Sequence, residues 1–473
     1  TSQGDFYEAL NYSALHQLPL IFVIQDNGFA ISTPVSQQTA GGSIAEIAKS
    51  FPGLQVFAVD GCDFPVLHTA MQIAVKHARE QKGPSLIVAK VPRLGAHSIS
   101  DDPTKYKDAQ LIAQEKNNDP LLRLEAWLQD NQLATAAELQ EMQIKAREFV
   151  EKAAQEAEKY PLPNIAEAAT KVFKENAAPP EKNLPAGAPV LLYQALNKAL
   201  QEEMQRDPGV VVFGEDVGAP MGGVFGITRN LATQFGAQRC FNMPLAESTI
   251  IGMAIGLSLD GYHKPVAEIQ FADYIWTGAN QLINELASIH YRSNGEWHCP
   301  IVIRMPYGAY IQGGPYHSQS IEALLGHAHG LKIVVPSNAA DAKRLLKTAI
   351  RDPNPVIFLE HKALYREQDF AKRPEPHSED LLPFGKAAIV CEGSDATVVC
   401  WGLMLKFASE AAAELQAENL NIEVLDLRTL MPLDLAAIIL SVKKTGKLLV
   451  LHEDSKTCGF GAEIIAQVME KAY

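Results

Sequence analysis

Two short stretches, far apart in the 473-residue chain, carry residue types able to do chemistry at the edge of a sheet. The first, Gln25-Asp26-Asn27-Gly28-Phe29, follows the apolar run Leu18-Pro-Leu-Ile-Phe-Val-Ile24. That run is too short for a membrane span and apolar enough for a buried parallel strand. The motif therefore falls at a strand's carboxyl end, where open α/β sheets bind ligands. The side-chain carbonyl of Asn27 suits Mg²⁺, a hard cation that takes oxygen ligands together with phosphate; taken alone, Asp-Asn-Gly after a strand is also an ordinary turn. The second stretch, Pro244-Leu245-Ala246-Glu247, leads the small-residue apolar helix Thr249 to Ser258. A carboxylate there meets a favourable helix dipole, as any acidic residue in a first turn does. Glu268-Ile-Gln270-Phe-Ala-Asp-Tyr274 places further polar groups after a strand. Two histidines stand in polar loops, His317 in Gly313-Gly-Pro-Tyr-His317-Ser-Gln-Ser and His97 in Arg93-Leu-Gly-Ala-His97-Ser98-Ile-Ser-Asp101-Asp102. Loop histidines titrate near neutral pH and can move protons, and each also fits an ordinary surface position.

The elements that must hold these residues alternate. A capping serine and the spacing of Phe6, Leu10 and Leu15 predict a helix at the start. Strands are expected at Leu18 to Ile24, Leu54 to Val59 and Ser85 to Lys90, with a helix from Val66 to Gln81, the pattern of a parallel α/β sheet. Residues 118 to about 175, rich in Ala, Glu, Gln and Lys, read as consecutive helices. The Pro-rich stretch 177–189 reads as a linker between two bodies. Beyond it the alternation resumes, with a helix at 191–206, strands at 210–213 and 264–268, a helix at 274–292, and strands at 301–305, 331–335 and 355–359. A last set follows the Pro-rich Arg373-Pro-Glu-Pro-His377: strands at 387–390, 396–401 and 447–452, then a helix running to Tyr473.

At about 150 residues per domain the length suggests roughly three domains. No stretch approaches the roughly 18 uninterrupted apolar residues of a membrane helix, and no secretory signal precedes the first helix; a cytoplasmic protein is expected. The six cysteines, Cys62, Cys240, Cys299, Cys391, Cys400 and Cys458, are scattered without a Cys-x-x-Cys pair, as reduced thiols in the core would be. A net charge of −14 disfavours nonspecific binding of nucleic acid or anionic membrane. The chain begins with Thr1 inside a helix start, so a preceding segment is expected, and the final domain reads as unfinished.

Five motifs in this order resemble one family: Asp26-Asn27-Gly28-Phe29-Ala-Ile-Ser-Thr, Arg93-Leu-Gly-Ala-His97-Ser98, Gly214-Glu215-Asp216-Val217, Glu268-Ile-Gln-Phe-Ala-Asp-Tyr274 and Tyr316-His317-Ser-Gln-Ser. The chain resembles the thiamine-diphosphate-dependent decarboxylating component of 2-oxo acid dehydrogenase complexes, with its alpha and beta subunits fused. The resemblance implies an α/β fold of two thiamine-diphosphate-binding parallel-sheet domains, diphosphate type then pyrimidine type, followed by a transketolase C-terminal-like domain. The expected bounds are 1–176 for the alpha-like domain with its helical tail, 177–189 for the linker, 190–372 for the beta-like domain and 373–473 for the last.

The same resemblance implies roles. Glu247 matches the glutamate that hydrogen-bonds the pyrimidine ring nitrogen of the cofactor, a task that calls for a raised carboxyl pKa. Asn27 and the backbone carbonyl of Phe29 match Mg²⁺ ligands, and the family's first ligand, the Asp of Gly-Asp-Gly, would precede Thr1. Arg93 and His97 match residues near diphosphate and substrate, Ser98 lies where animal relatives are phosphorylated, and Leu245, Gln270 and Tyr274 match pyrimidine-side contacts. His317 matches a histidine implicated in reaction with lipoyl groups. The family usually has Asn-Asn-Gly-Tyr where this chain has Asp26-Asn27-Gly28-Phe29; the phenyl ring is immaterial if only the Phe29 carbonyl is used. The implied partners are a lipoyl-bearing dihydrolipoyl acyltransferase and a second copy of the fused chain. Gly222-Gly-Val-Phe-Gly226 and Pro244-Leu-Ala-Glu resemble branched-chain enzymes, so 2-oxoisovalerate is the expected substrate. The alternatives are pyruvate, a transketolase-like activity, and an inactive thiamine-binding homologue.

Overall fold

A computed structural model of the chain describes residues 1–182 and 184–472. Asn183, inside the expected linker, and Tyr473, at the expected end of the last helix, lie outside the described residues. The chain forms two compact units, Thr1–Pro163 and Asn164–Tyr473.

In the first unit, helix α1 (Gly4–Leu15) leads to strand β1 (Ile21–Asp26), then β2 (Gln55–Asp60), α2 (Phe64–Arg79) and β3 (Ser85–Lys90). The strands are parallel in the order β1-β3-β2. The central strand β3 is buried from Ser85 to Ala89, as a parallel strand covered on both faces must be. Leu10, Ile44, Ala48, Leu86 and Val88 form the core beneath it. Two local expectations are corrected. The capping serine does not cap: Gln3 is the N-cap without a side-chain bond, and the Ser2 hydroxyl donates instead to Gln38 Oε1. Strand β1 also lies later than its apolar run. Pro19 has no amide to donate, and pairing runs from Ile21 opposite Ser85 to Asp26 opposite Lys90, so the polar Gln25 and Asp26 belong to the strand.

Helices α3 (Ala109–Asn117), α4 (Pro120–Asp130) and α5 (Ala136–Ala157) follow, started by the side chains of Asp108, Asp119 and Thr135. Regular helix ends at Ala157 rather than continuing to 175, apart from one short turn at Ile165–Glu167. Pro161 and Pro163 cannot supply helix donors just beyond that end.

The second unit opens with α6 (Leu192–Arg206), β4 (Val210–Gly214), β5 (Cys240–Asn242), α7 (Glu247–Ser258), β6 (Lys264–Glu268), β7 (Val302–Tyr307), β8 (Lys332–Val334), α8 (Ala339–Arg351) and β9 (Val356–His361). It closes with β10 (Ala388–Cys391), β11 (Ala396–Cys400), α9 (Met404–Gln416), β12 (Ile422–Asp426), β13 (Thr429–Met431), α10 (Leu435–Thr445), β14 (Leu448–Leu451) and α11 (Phe460–Ala472). Seven strands in the order β13-β8-β9-β7-β6-β4-β5 make one sheet, parallel except for β13. Four strands, β10-β12-β11-β14, make another. Pro189–Val190 pairs with Arg373–Pro374, and the Gly187 amide donates to Glu375 O at 2.8 Å.

Three strands had no apolar signal. β5 and β13 are three residues each. β12 carries two acids that interrupt its apolar pattern, yet both are buried: Glu423 pairs with Lys444, and Asp426 accepts the Ser337 hydroxyl at 2.9 Å. The helix expected at 274–292 is irregular, a 3₁₀ segment at Ala272–Gly278, a π-helical segment at Asn280–Leu286 and a short α-helix at Ile289–Arg292. Of the cysteines, Cys62, Cys240, Cys299 and Cys400 are buried, Cys391 is half-buried and Cys458 is exposed rather than in the core. Among the described residues, no helix is long and apolar enough to cross a membrane.

At the middle of the seven-stranded sheet Arg304 on β7 is wholly buried. Its guanidinium forks onto Glu360 of β9 at 2.7 and 2.8 Å and reaches Glu268 of β6 at 2.5 Å, while the Tyr365 hydroxyl donates to Glu360 at 2.7 Å. Burial works against the Arg304 charge, but the two carboxylates outweigh it and hold the guanidinium protonated. Removing one partner of such a network strands the others in a low-dielectric interior. Arg304→Met is therefore expected to lower stability by about 3–5 kcal/mol, read as a fall in the urea midpoint of the full chain; a wild-type midpoint would show that the two carboxylates are satisfied without it.

Candidate active site

Because β4, β6, β7 and β9 run parallel, the residues that follow them emerge at one edge of the sheet. Glu215 and Asp216 follow β4, Gln270 to Tyr274 follow β6, the His317 loop follows β7 and Lys362 follows β9. Gly214 is where β4 presses on β6: a Cβ there would lie 2.4 Å from the Glu268 carbonyl oxygen.

Glu247 is the first residue of α7, after Ala246, whose side chain caps nothing, so its carboxylate sits at the positive end of the helix. Glu247 Oε2 accepts the Thr277 hydroxyl at 2.7 Å. That contact depends on the irregular helix. Gly278 lies against the first turn of α7, where a Cβ would stand 3.1 Å from Glu247 O and 2.7 Å from Ile251 Cδ1.

Beside Glu247 lies a second carboxyl group. Glu215 is 4% exposed, and neither of its carboxyl oxygens has a hydrogen-bond partner among the described residues. Burial, followed by the charges of Glu247, Asp216 and Glu268, pushes it up to about 7. Asp216, held at φ 57°, accepts the Gln270 side-chain amide at 2.9 Å, so Gln270 is fastened to the same loop.

The Tyr274 hydroxyl and His317 Nε2 are 2.6 Å apart. His317 Nδ1 faces Gly313 O at 3.2 Å. A carbonyl only accepts, so Nδ1 carries the proton and Nε2 accepts from tyrosine. The ring packs edge-on to Phe271 at 4.8 Å. Burial, with Asp273, Glu215 and Glu247, raises the Tyr274 phenol above its ordinary value and keeps it a donor. Asp273 Oδ1 accepts the amides of Ser318 and Gln319, at 3.0 and 3.1 Å. Lys362, buried, lies 5.6 Å from the centre of the Phe271 ring, and burial pulls it down to about 8 against the charges of Asp273 and Glu453.

Glu247, Gln270, Tyr274 and His317 thus share one edge, and Leu245, two residues before Glu247, is 83% exposed. Glu215 and Asp273 stand in two of the five motifs but were given no role there, and Thr277 and Lys362 were not singled out from sequence. Glu215 had a signal, an acidic pair directly after an apolar strand; Lys362 had none, since its burial depends on the packing of three strand ends.

The remaining candidates lie in the first unit. Asn27 Oδ1 accepts the Phe29 amide and Asp26 Oδ1 the Gly28 amide, both at 3.0 Å, so the motif is a turn and Asn27 still keeps a free lone pair. Asn27 and Phe29 line a 230 Å³ cavity with Thr1, Ser2 and Gln25. The Phe29 ring makes contacts of its own: Arg93 stands 5.9 Å and Lys107 5.2 Å from its centre, with Tyr106 at 5.8 Å. Arg93 donates to Ile31 O and to the Tyr106 hydroxyl. His97 is exposed and is placed by its backbone, whose amide donates to Asp101 Oδ2 at 2.8 Å; Ser98 is exposed beside Ser100. No three His, Cys, Asp or Glu side chains converge as a metal site among the described residues.

Comparison with known proteins agrees with this layout. Residues 1–166 match the dehydrogenase E1 component, 189–368 the transketolase pyrimidine binding domain and 385–473 the transketolase C-terminal domain. The chain is 49% identical over 276 residues to the 2-oxoisovalerate dehydrogenase subunit beta of Bacillus subtilis, covering 58% of this chain and 83% of that protein. It is 43% identical over 284 residues to the pyruvate dehydrogenase E1 component subunit beta of Acholeplasma laidlawii, covering 60% and 85%. A solved structure described as a split gene transketolase, inactive beta4 tetramer, aligns with TM-score 0.49 and 25% identity over 60% of this chain and 87% of that one.

The Glu215 environment makes a pH prediction. Its folded pKa lies near 7 against an ordinary 4.5, so between those values the folded protein holds a proton that the unfolded chain has lost. Stability conferred by neutral Glu215 is present below about 4.5 and is lost as pH rises through about 7. Relative to Glu215→Gln, which cannot ionise, the wild type should lose stability across that window. Parallel thermal-unfolding curves for the two proteins from pH 4.5 to 7.5 would sink the assignment.

Proposed function

The chain belongs to the thiamine-dependent 2-oxo acid dehydrogenase E1 family, and on that premise we propose that it decarboxylates a branched-chain 2-oxo acid such as 2-oxoisovalerate and passes the acyl group to the lipoyl arm of a dihydrolipoyl acyltransferase. The observation that carries the reading is the carboxyl pair Glu247 and Glu215, set beside the Tyr274–His317 hydrogen bond at the carboxyl edge of one parallel sheet.

The residues present fit thiamine diphosphate. When bound, that cofactor supplies a ring carbon that can stabilise the charge left by decarboxylation. Glu247 presents a carboxylate at a helix N-terminus, where a ring nitrogen can share its proton. Thr277 fixes that carboxylate in one orientation, and buried Glu215, reluctant to ionise, limits how much negative charge the pair carries. Gln270 and Tyr274 line the pyrimidine side. In the first unit Asn27 and the Phe29 carbonyl would hold Mg²⁺, while Arg93 faces the diphosphate and His97 the substrate. His317, hydrogen-bonded to the Tyr274 hydroxyl, is placed to move a proton during acyl transfer.

The branched-chain preference is supported by identity, 49% to one 2-oxoisovalerate subunit against 43% and 41% to pyruvate subunits, with another 2-oxoisovalerate subunit also at 43%. The loop Gly222–Gly226 supports it in part. Its Gly223 amide donates to Asp216 O at 2.8 Å, and Phe225 packs 6.0 Å from Phe271, so the loop borders the site. The proposal includes a homodimer in the cytoplasm and the division at 1–176, 177–189, 190–372 and 373–473.

Glu247→Gln should leave the fold intact and reduce dye-coupled decarboxylation at least about 100-fold, the range set by loss of general acid–base help. Retention of the wild-type rate would falsify the role of Glu247. In the same assay, 2-oxoisovalerate should be turned over with a higher kcat/KM than pyruvate or 2-oxobutyrate; the reverse order replaces the branched-chain reading with the pyruvate one.

A further inference from the structure

His317 sits in a loop that runs from Gly308 to Gln319, closed at its base by the Gly308 amide on Gln319 O at 3.0 Å. Such a loop places a catalytic group well only if something fixed holds it. One carboxylate does so from the neighbouring strand end: Asp273 Oδ1 takes the amides of both Ser318 and Gln319, the two residues after His317. The next residue, Tyr274, binds the imidazole itself. The second Asp273 oxygen, Oδ2, is buried without a hydrogen-bond partner among the described residues, and so is Lys362 Nζ. The two side chains are only 7% and 2% exposed. A carboxylate left alone in that setting carries a large desolvation penalty, which a nearby buried cation offsets. The Phe271 ring joins them to the loop, with Lys362 Nζ 5.6 Å from its centre and the His317 ring 4.8 Å away edge-on.

We propose that Asp273 and Lys362 form a positioning pair that holds the His317 loop for acyl transfer to the lipoyl group. The inference rests on the role given to His317 above. In that transfer the dithiolane S–S bond breaks, one sulfur bonds to the acyl carbon and the other takes a proton, and the two electrons lost by the acyl carbon reduce the disulfide. A proton must therefore arrive at one sulfur as the other bonds, and the position of the imidazole decides how well it is delivered. Neither Asp273 nor Lys362 touches the reacting atoms; each acts through the loop.

The test compares two turnover rates of the full chain, one with a lipoylated carrier domain as acceptor and one with ferricyanide. Asp273→Ala and Lys362→Met should each lower the ratio of lipoyl-coupled to ferricyanide-coupled rate by roughly tenfold to 100-fold, the scale of a displaced catalytic group. Asp273→Asn keeps an acceptor for the two amides but not the charge, so it should restore the protection of the loop amides while the rate ratio stays below wild type. Hydrogen exchange of peptides covering 313–319 should speed up about tenfold or more in Asp273→Ala, because the loop amides lose their acceptor. An unchanged ratio in either variant, or an equal fall in both rates, overturns the proposal. His317→Ala separates the underlying reading: if it leaves the ratio at the wild-type value, His317 has no part in transfer and the pair loses its function, even where loop exchange still reports the clamp.

Discussion

The second unit is organised around a charge that cannot leave. Arg304 lies in the middle of the seven-stranded sheet with no water in reach, and it is held by Glu268 on one neighbouring strand and Glu360 on the other. The pairing links three adjacent strands through side chains as well as backbone, and the forked geometry onto Glu360 permits little sliding. Glu215, Gln270, Tyr274 and Lys362 follow within a few positions of those strands or of β4 beside them, and the His317 loop leaves from β7. The spacing between Glu215, Tyr274, His317 and Lys362 is therefore inherited from a buried ion network, whose value lies in fixing register more than in net stability.

The same edge separates its charges into two regions. On one side Glu215 and Glu247 crowd together, and burial leaves Glu215 protonated near neutrality. On the other, buried Lys362 stands over the Phe271 ring, and Asp273 clamps the loop after β7. Like charges at short range favour proton sharing, and opposite charges favour fixed geometry. One half of the site is thus suited to holding a mobile proton, and the other to keeping a catalytic side chain still. The irregular helix at 272–292 serves both, since it carries Asp273 and Tyr274 toward the loop and Thr277 toward Glu247.

Much of this was legible in the residues. β3 and β6 occupy the predicted positions, each with an apolar centre, Leu86 to Ala89 and Pro265 to Ala267, that is buried between flanking polar residues as a covered parallel strand requires. The motifs around Glu247, Gln270, Tyr274 and His317 pointed to strand ends and loops, and the structure sets them on one edge. The regular helix expected at 274–292 was misread because composition carries no mark of the 3₁₀ and π-helical segments that replace it, and Gly278, at the end of the 3₁₀ segment, lies against α7. β12 was missed because Glu423 and Asp426 look solvent-bound until Lys444 and Ser337 are seen beside them. Phe29 was credited with its carbonyl alone, whereas its ring meets Arg93 and Lys107.

By itself, the sequence determined the α/β alternation, the family and the residue types available for acid–base work, because these depend on local pattern and on side-chain chemistry that burial does not alter. Only the tertiary structure decided which acids would be neutral, which lysine would be buried and which tyrosine would meet which histidine. Those outcomes depend on desolvation and on contacts among strand ends distant in the chain: Glu215 is an ordinary carboxylate until β4 and β6 close over it, and Asp273 becomes a clamp only when the loop after β7 folds back onto it.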